Sequence, residues 1–126
     1  MVYVFTLREL AMDELKNIAE NRQAAHERLL QLDSRVYKAF LAMEQATYAT
    51  GALPRKQKEL IAVGISVVID CRSCMQWHIE QAAKAGAGFR DVFEAVEVGM
   101  DSGGPATVSA RFALDVMDSV FGSERT

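Results

Sequence analysis

Two sulfurs and an imidazole recur at helical spacing in the middle of this chain. They are Cys71, Cys74 and His78, in a Cys-x-x-Cys-x-x-x-His pattern. On a helix, at about 100° per residue, the step from Cys74 to His78 is one turn on the same face. Cys71 to His78 is nearly two whole turns, so all three groups share one stripe. Residues three apart on a helix have Cβ atoms about 5–6 Å apart, whereas a disulfide wants them nearer 4 Å. A slight adjustment of the first turn closes the bond, and such a bond is easily reduced.

The chemistry this permits is thiol redox chemistry. The nucleophile is the thiolate, and the first turn of a helix offers unpaired N–H groups and a partial positive charge that stabilise it. Arg72 adds to this effect, and an ionised Asp70 opposes it. His78 can take the proton of Cys74 as a general base, and a base works better when a third group orients it. A carboxylate on the preceding helix is the natural candidate. The attacking sulfur is open at this point: proximity to the helix terminus favours Cys71, and one-turn proximity to His78 favours Cys74.

Other readings stand beside this one. Cys71, Cys74 and His78 also suit zinc, but a structural site needs a fourth ligand and no second Cys-x-x-Cys exists. The remaining ligand types, His26 and Glu59, have no spacing argument behind them. A third possibility is a non-enzymatic oligomeric module whose cysteines only sense redox state. Taken singly, each residue has a plainer role. Free cysteine packs as a small hydrophobe, and His78 alone reads as a core histidine. Glu59 sits among Arg55, Lys56 and Lys58 and reads as a solvated helix residue. His26 reads as a surface residue without a role, and Met75 and Trp77 as core or interface.

The elements that position these groups all read as helices. From Met12 to Leu32 apolar residues recur at helical spacing among many charges. Asp33 or Ser34 caps a second helix from Arg35 to Thr50, with Val36, Phe40 and Met43 on one stripe and Gly51 as a stop. Pro54 fits the first turn of a third helix reaching about Ile69. Its β-branched run from Ile61 to Ile69 also suits a buried strand. No second strand-like run exists to pair with it, so a helix apolar on nearly all sides, central to a bundle, is expected. Asp70 is the expected N-cap of a fourth helix from Cys71 to about Ala85, with Gly86 as its stop. Phe89 to Met100 forms a fifth helix, Gly103-Gly104-Pro105 breaks the chain, and Val108 to Val120 forms a sixth. The tail after Gly122 reads as frayed. The expected fold is therefore all-α: one helical domain over residues 1–126, a bundle of about six helices, with N-terminal helices at 12–50 and a core at about 53–121.

Size and composition agree. A chain of 126 residues with half of them hydrophobic and a quarter charged can bury a real core without staples. The net charge of −3 and the lack of a basic stripe argue against nucleic acid as a partner. Two cysteines are too few for a disulfide scaffold. Residues 1–10 lack the basic start, apolar run and cleavage site of a signal peptide. The longest apolar run, Leu60 to Ile69, is about half of what a bilayer span needs. A soluble cytoplasmic protein without a membrane partner is the expectation. A surplus of apolar residues near the N-terminus (Val2, Tyr3, Phe5 and Met12) hints at a subunit interface.

From about Leu53 to Leu114 the chain resembles the alkylhydroperoxidase D-like branch of the carboxymuconolactone decarboxylase family. The matching text is Glu59, twelve residues later Cys71-Arg72-Ser73-Cys74, then Met75-Gln76-Trp77-His78, with Gly86 closing the helix and Gly103-Gly104-Pro105-Ala106 beyond it. The resemblance implies an all-α fold and a homo-oligomer, commonly a trimer or hexamer. It implies peroxiredoxin-type activity without a cofactor, in antioxidant defence. Cys74 would attack a hydroperoxide, Cys71 would resolve the sulfenic acid as a disulfide, and Glu59 with His78 would relay protons. A dithiol reductant, thioredoxin-like or lipoyl-bearing, would restore the thiols. One position departs from the pattern. The best-known peroxidases of the family carry a second histidine immediately before the second cysteine, and here that residue is Ser73. A hydroxyl passes a hydrogen bond but does not titrate near neutral pH, which makes disulfide reductase work an alternative to peroxide reduction. Decarboxylation of the lactone is not expected, because that branch lacks the cysteine pair.

Overall fold

The first helix begins where a capping box forms. The Thr6 hydroxyl accepts from the Glu9 N–H at 3.2 Å, and Glu9 Oε2 accepts from the Thr6 N–H at 2.7 Å. This reciprocal pair satisfies two of the N–H groups that a helix start leaves open. It places α1 at Leu7–Gln31, five residues ahead of the Met12 start expected from apolar periodicity. The computed structural model describes residues 6–103 and 106–122, with backbone only at 106 and 107. The Val2, Tyr3 and Phe5 group, Gly104, Pro105 and the tail after Gly122 lie outside the described residues.

Five more helices follow: α2 (Arg35–Tyr48), α3 (Arg55–Val68), α4 (Arg72–Lys84), α5 (Phe89–Ser102) and α6 (Ala106–Phe121). Every regular element among the described residues is a helix, so the fold class is all-α. The β-branched run of α3 is helical, and no strand among the described residues could share its backbone hydrogen bonds.

The helices divide into two compact units, one ending at Thr47 and the other starting at Tyr48. In the first, the chain reverses at Asp33, whose φ of 54° is left-handed, a conformation that Asp tolerates. The Ser34 hydroxyl then accepts from the Tyr37 N–H at 3.1 Å, so Ser34 rather than Asp33 caps α2. His26 Nδ1 and the Tyr37 hydroxyl meet at 2.6 Å and tie α1 to α2. His26 is thus a half-buried structural partner and not a surface residue of α1. The apolar stripe of α2 exists as expected but faces outward, with Val36, Phe40 and Met43 all exposed.

In the second unit α3 packs against α4, α5 and α6, and α6 also packs against α4 and α5. Val63, Met75, Ile79, Val92, Val96, Ala113 and Met117 are fully buried in its core. The helix α3 is central on one side only. Ile61, Ile65 and Ile69 are exposed, and with Val98 of α5 the first two border an open apolar groove of about 460 Å³. This corrects the expectation of a helix buried on nearly all sides.

Gly99 sets how closely α3 and α5 approach. A Cβ built on Gly99 would lie 2.7 Å from the Gly64 carbonyl oxygen and 2.8 Å from Val67 Cβ. Backbone cannot retreat as a flexible side chain can, so Gly99→Ala should destabilise the fold by about 1–3 kcal/mol, the usual range for overpacking. At Gly51 an added Cβ meets only Lys58 Nζ, at 3.8 Å, so Gly51→Ala should stay within about 0.5 kcal/mol of the parent. Urea denaturation of the two variants measures the contrast. Equal midpoints would show that the helices separate freely at Gly99.

Candidate active site

The site is built where α3 ends and α4 begins. The turn between them passes through Asp70, whose φ is 51°. The Asp70 N–H donates to Val67 O at 3.3 Å and the Cys71 N–H to Ser66 O at 3.1 Å, which folds the chain back on α3. The Asp70 carboxylate leaves the helix altogether: its Oδ1 accepts from the hydroxyl of Ser109, a fully buried residue of α6, at 2.8 Å. Asp70 is therefore not the N-cap expected of it. Its left-handed backbone reverses the chain and its side chain anchors the turn.

The N-cap is Cys71, with extended φ −95° and ψ 100°. Its Sγ takes the place usually held by a capping oxygen and accepts from the Cys74 N–H at 3.2 Å. Cys71 and Cys74 are joined as a disulfide with Cα atoms 5.2 Å apart, inside the ordinary range for such bonds. Both cysteines are half-buried, and Ser73 between them is exposed. Arg72 extends over the Phe112 ring of α6, with its guanidinium carbon 5.4 Å from the centroid.

Glu59 lies on the inward face of α3, in register with the buried Ala62, Val63, Ser66 and Val67. It is 1% exposed, which overturns its reading as a solvated residue. Its Oε2 meets His78 Nδ1 at 2.8 Å. A carboxylate oxygen can only accept, so Nδ1 carries the proton. In the neutral ring this leaves Nε2 as the acceptor, the tautomer a general base needs. Cys74 and His78 stand one turn apart on α4, which puts the ring and the second sulfur on one face. The four residues singled out in the sequence thus form two joined pairs, a disulfide and a carboxylate–imidazole hydrogen bond, connected through one face of α4.

Three further residues complete the surroundings of His78. The Tyr48 ring lies 5.2 Å from the His78 ring, tilted by 35°. Arg55 Nε is 3.7 Å from Glu59 Oε1, and Arg55 Nη2 donates to Gln81 Oε1 at 3.0 Å. Only Arg55 left a trace in the sequence, as a cation four residues before a carboxylate on one helix. Glu59 itself read as a solvated residue by its charged neighbours, and only the family resemblance pointed to it. Met75 is core as expected, and Trp77 is half-buried. Among the described residues no group of three His, Cys, Asp or Glu side chains is arranged to hold a metal ion. With its two sulfurs bonded to each other, the Cys71, Cys74 and His78 set offers no thiolate ligands. No helix among the described residues is long and apolar enough to cross a membrane.

Comparison with known proteins finds relatives in sequence and in fold. A family profile described as "Carboxymuconolactone decarboxylase family" matches residues 34–116. A Paracoccus denitrificans protein known as uncharacterized protein 4 in cox locus is 36% identical over 86 residues, covering 68% of this chain and 78% of its own length. A Cupriavidus necator protein is 32% identical over 83 residues, covering 65% of this chain and 74% of its own. Among solved structures, a carboxymuconolactone decarboxylase family protein from Legionella pneumophila superposes with a TM-score of 0.81 at 25% identity, over 88% of this chain and 99% of its own. A family protein from Thermotoga maritima, with a suggested involvement in antioxidative response, gives a TM-score of 0.72 at 25% identity over 82% and 88%.

Proposed function

The chain belongs to the carboxymuconolactone decarboxylase family, and from that premise we propose that it is a dithiol peroxidase of the alkylhydroperoxidase D type, acting in antioxidant defence. The observation that carries this reading is the 2.8 Å hydrogen bond between the buried Glu59 and the half-buried His78, one helical turn from a closed Cys71–Cys74 disulfide. A carboxylate that orients an imidazole, which in turn reaches a nucleophile, is the general arrangement for activating a weak nucleophile.

The cycle runs as follows. His78 Nε2 takes the Cys74 proton, and the resulting thiolate attacks the terminal oxygen of a hydroperoxide. The O–O bond breaks, an alcohol leaves with the proton returned from His78, and Cys74 becomes a sulfenic acid. The Cys71 thiol then attacks that sulfur, water leaves, and the disulfide forms. The Cys71–Cys74 bond supports this step, since the two sulfurs are placed to form it. A dithiol protein, thioredoxin-like or lipoyl-bearing, reduces it by two thiol–disulfide exchanges and is itself oxidised. No cofactor enters the cycle, and a dithiol that must be regenerated suits the reducing cytoplasm. Self-association into a trimer or hexamer belongs to the same reading, supported by the outward apolar stripes of α2 and α3.

A second reading has one observation behind it. Ser73, an exposed hydroxyl, stands where related peroxidases hold a further histidine. A shorter relay favours disulfide reductase work over peroxide turnover, with the same two cysteines. The test is thiol trapping. The fully reduced protein, treated with one equivalent of cumene hydroperoxide, should lose both free thiols and two hydrogens of mass, with cumyl alcohol formed in equal amount. Retention of both thiols after peroxide would overturn the peroxidase reading, and rapid reduction of a small disulfide by the same sample would then favour the reductase.

A further inference from the structure

We infer that Arg55, tethered by Gln81, is a positioning residue that fixes the plane of the Glu59 carboxylate and through it the His78 ring. This inference rests on the proposed role of Glu59 and His78. A buried glutamate has two oxygens that exchange places by rotation about its last torsion, a broad and weakly hindered motion. One hydrogen bond to His78 does not by itself stop that motion. Here Oε2 faces His78 and Oε1 faces the Arg55 guanidinium, so each oxygen has its own partner and rotation would break both contacts.

Arg55 could not do this alone. Its side chain is 52% exposed, and an exposed arginine samples many rotamers. The Gln81 amide removes that freedom: it is 7% exposed, on α4, and its carbonyl accepts from Arg55 Nη2 at 3.0 Å. The four residues form a closed circuit across two helices. Arg55 and Glu59 are four apart on α3, His78 and Gln81 are three apart on α4, and two polar contacts, Glu59 to His78 and Arg55 to Gln81, cross between them. Each pair shares a helix face by its spacing. The planar guanidinium suits the role, since it presents donors in a rigid fork toward two acceptors at once, which a lysine ammonium on a flexible stem does not.

The test uses the protein in both redox states and the variants Arg55→Met, Arg55→Lys and Gln81→Met. The chain has two histidines, so ring N–H resonances are assignable with His26→Gln as reference. The wild-type protein should show a protected, slowly exchanging His78 Nδ1–H signal. Arg55→Met and Gln81→Met should broaden or lose it without moving the melting temperature or the His26 signal, and Arg55→Lys should recover only part of it. Steady-state assays should show kcat for cumene hydroperoxide falling roughly 10- to 100-fold in Arg55→Met with KM little changed, the scale on which loss of an orienting partner acts. An Arg55→Met protein with a wild-type ring signal and wild-type kcat would overturn the inference. If the wild-type protein consumes no hydroperoxide, the peroxidase reading fails, and the ring N–H signal still decides for or against the clamp.

Discussion

Cys74→Ser is expected to reduce hydroperoxide consumption to the uncatalysed background. A serine hydroxyl at this position has neither the acidity nor the soft lone pairs that let a thiolate displace an alkoxide from a peroxide. Loss of a covalent nucleophile in a preorganised site costs on the order of 10⁴-fold or more. Cys71→Ser should behave differently. Its Cys74 thiol remains beside His78, so one turnover proceeds and stops at a sulfenic acid that dimedone traps. The comparison also settles a question in the structure. Cys71 Sγ receives an N–H from the first turn of α4, that of Cys74, which favours a thiolate there. Cys74 has the imidazole one turn away. If Cys71→Ser is the dead variant and Cys74→Ser leaves the trappable sulfenic acid, the helix terminus outweighs the histidine and the two sulfurs exchange roles.

Removing the relay should produce the next largest effect. His78→Gln keeps a polar side chain but removes the imidazole that takes and returns the proton, and it is expected to lower kcat about 10²–10⁴-fold, the span attributed to general acid–base catalysis. Glu59→Gln keeps the shape of its side chain but can present an amide N–H to His78, which favours the tautomer with its proton on Nε2. Its loss should fall in the same range. The decisive measurement is the double variant. Groups that act as one unit are non-additive, so Glu59→Gln with His78→Gln should be no slower than His78→Gln alone. A double variant whose loss is the product of the two single losses would mean that Glu59 and His78 work independently, and the 2.8 Å contact between them would then be structural.

The individual helices were legible because their signals are local. Periodicity marked α1, α2, α5 and α6, and Gly86, with φ 99°, stops α4 as a glycine without Cβ strain can. Where boundaries moved, a single polar atom was responsible. The Glu9 carboxylate started α1 early, and the Asp70 carboxylate turned away to Ser109 and left the cap to a sulfur. Neither choice is visible in hydrophobic spacing, because both depend on which partner a short side chain finds in three dimensions. His26 shows the same limit. Its charged neighbours describe its own helix, and only the turn at Asp33 brings Tyr37 to it.

Sequence alone determined that the fold is all-α and that Cys74 and His78 lie along one edge of α4, with Cys71 at its start, because helical repeat converts residue number directly into direction. The tertiary structure alone decided that Glu59 is buried against His78, that Arg55 and Gln81 close a circuit around it, and that Tyr48 covers the imidazole. Those contacts depend on how α3 is set against α4 and on where the chain enters α3. The packing of fully buried Val63, Val67, Met75 and Ile79 and the bare backbone at Gly99 set that arrangement, and no spacing along the chain encodes a distance across it.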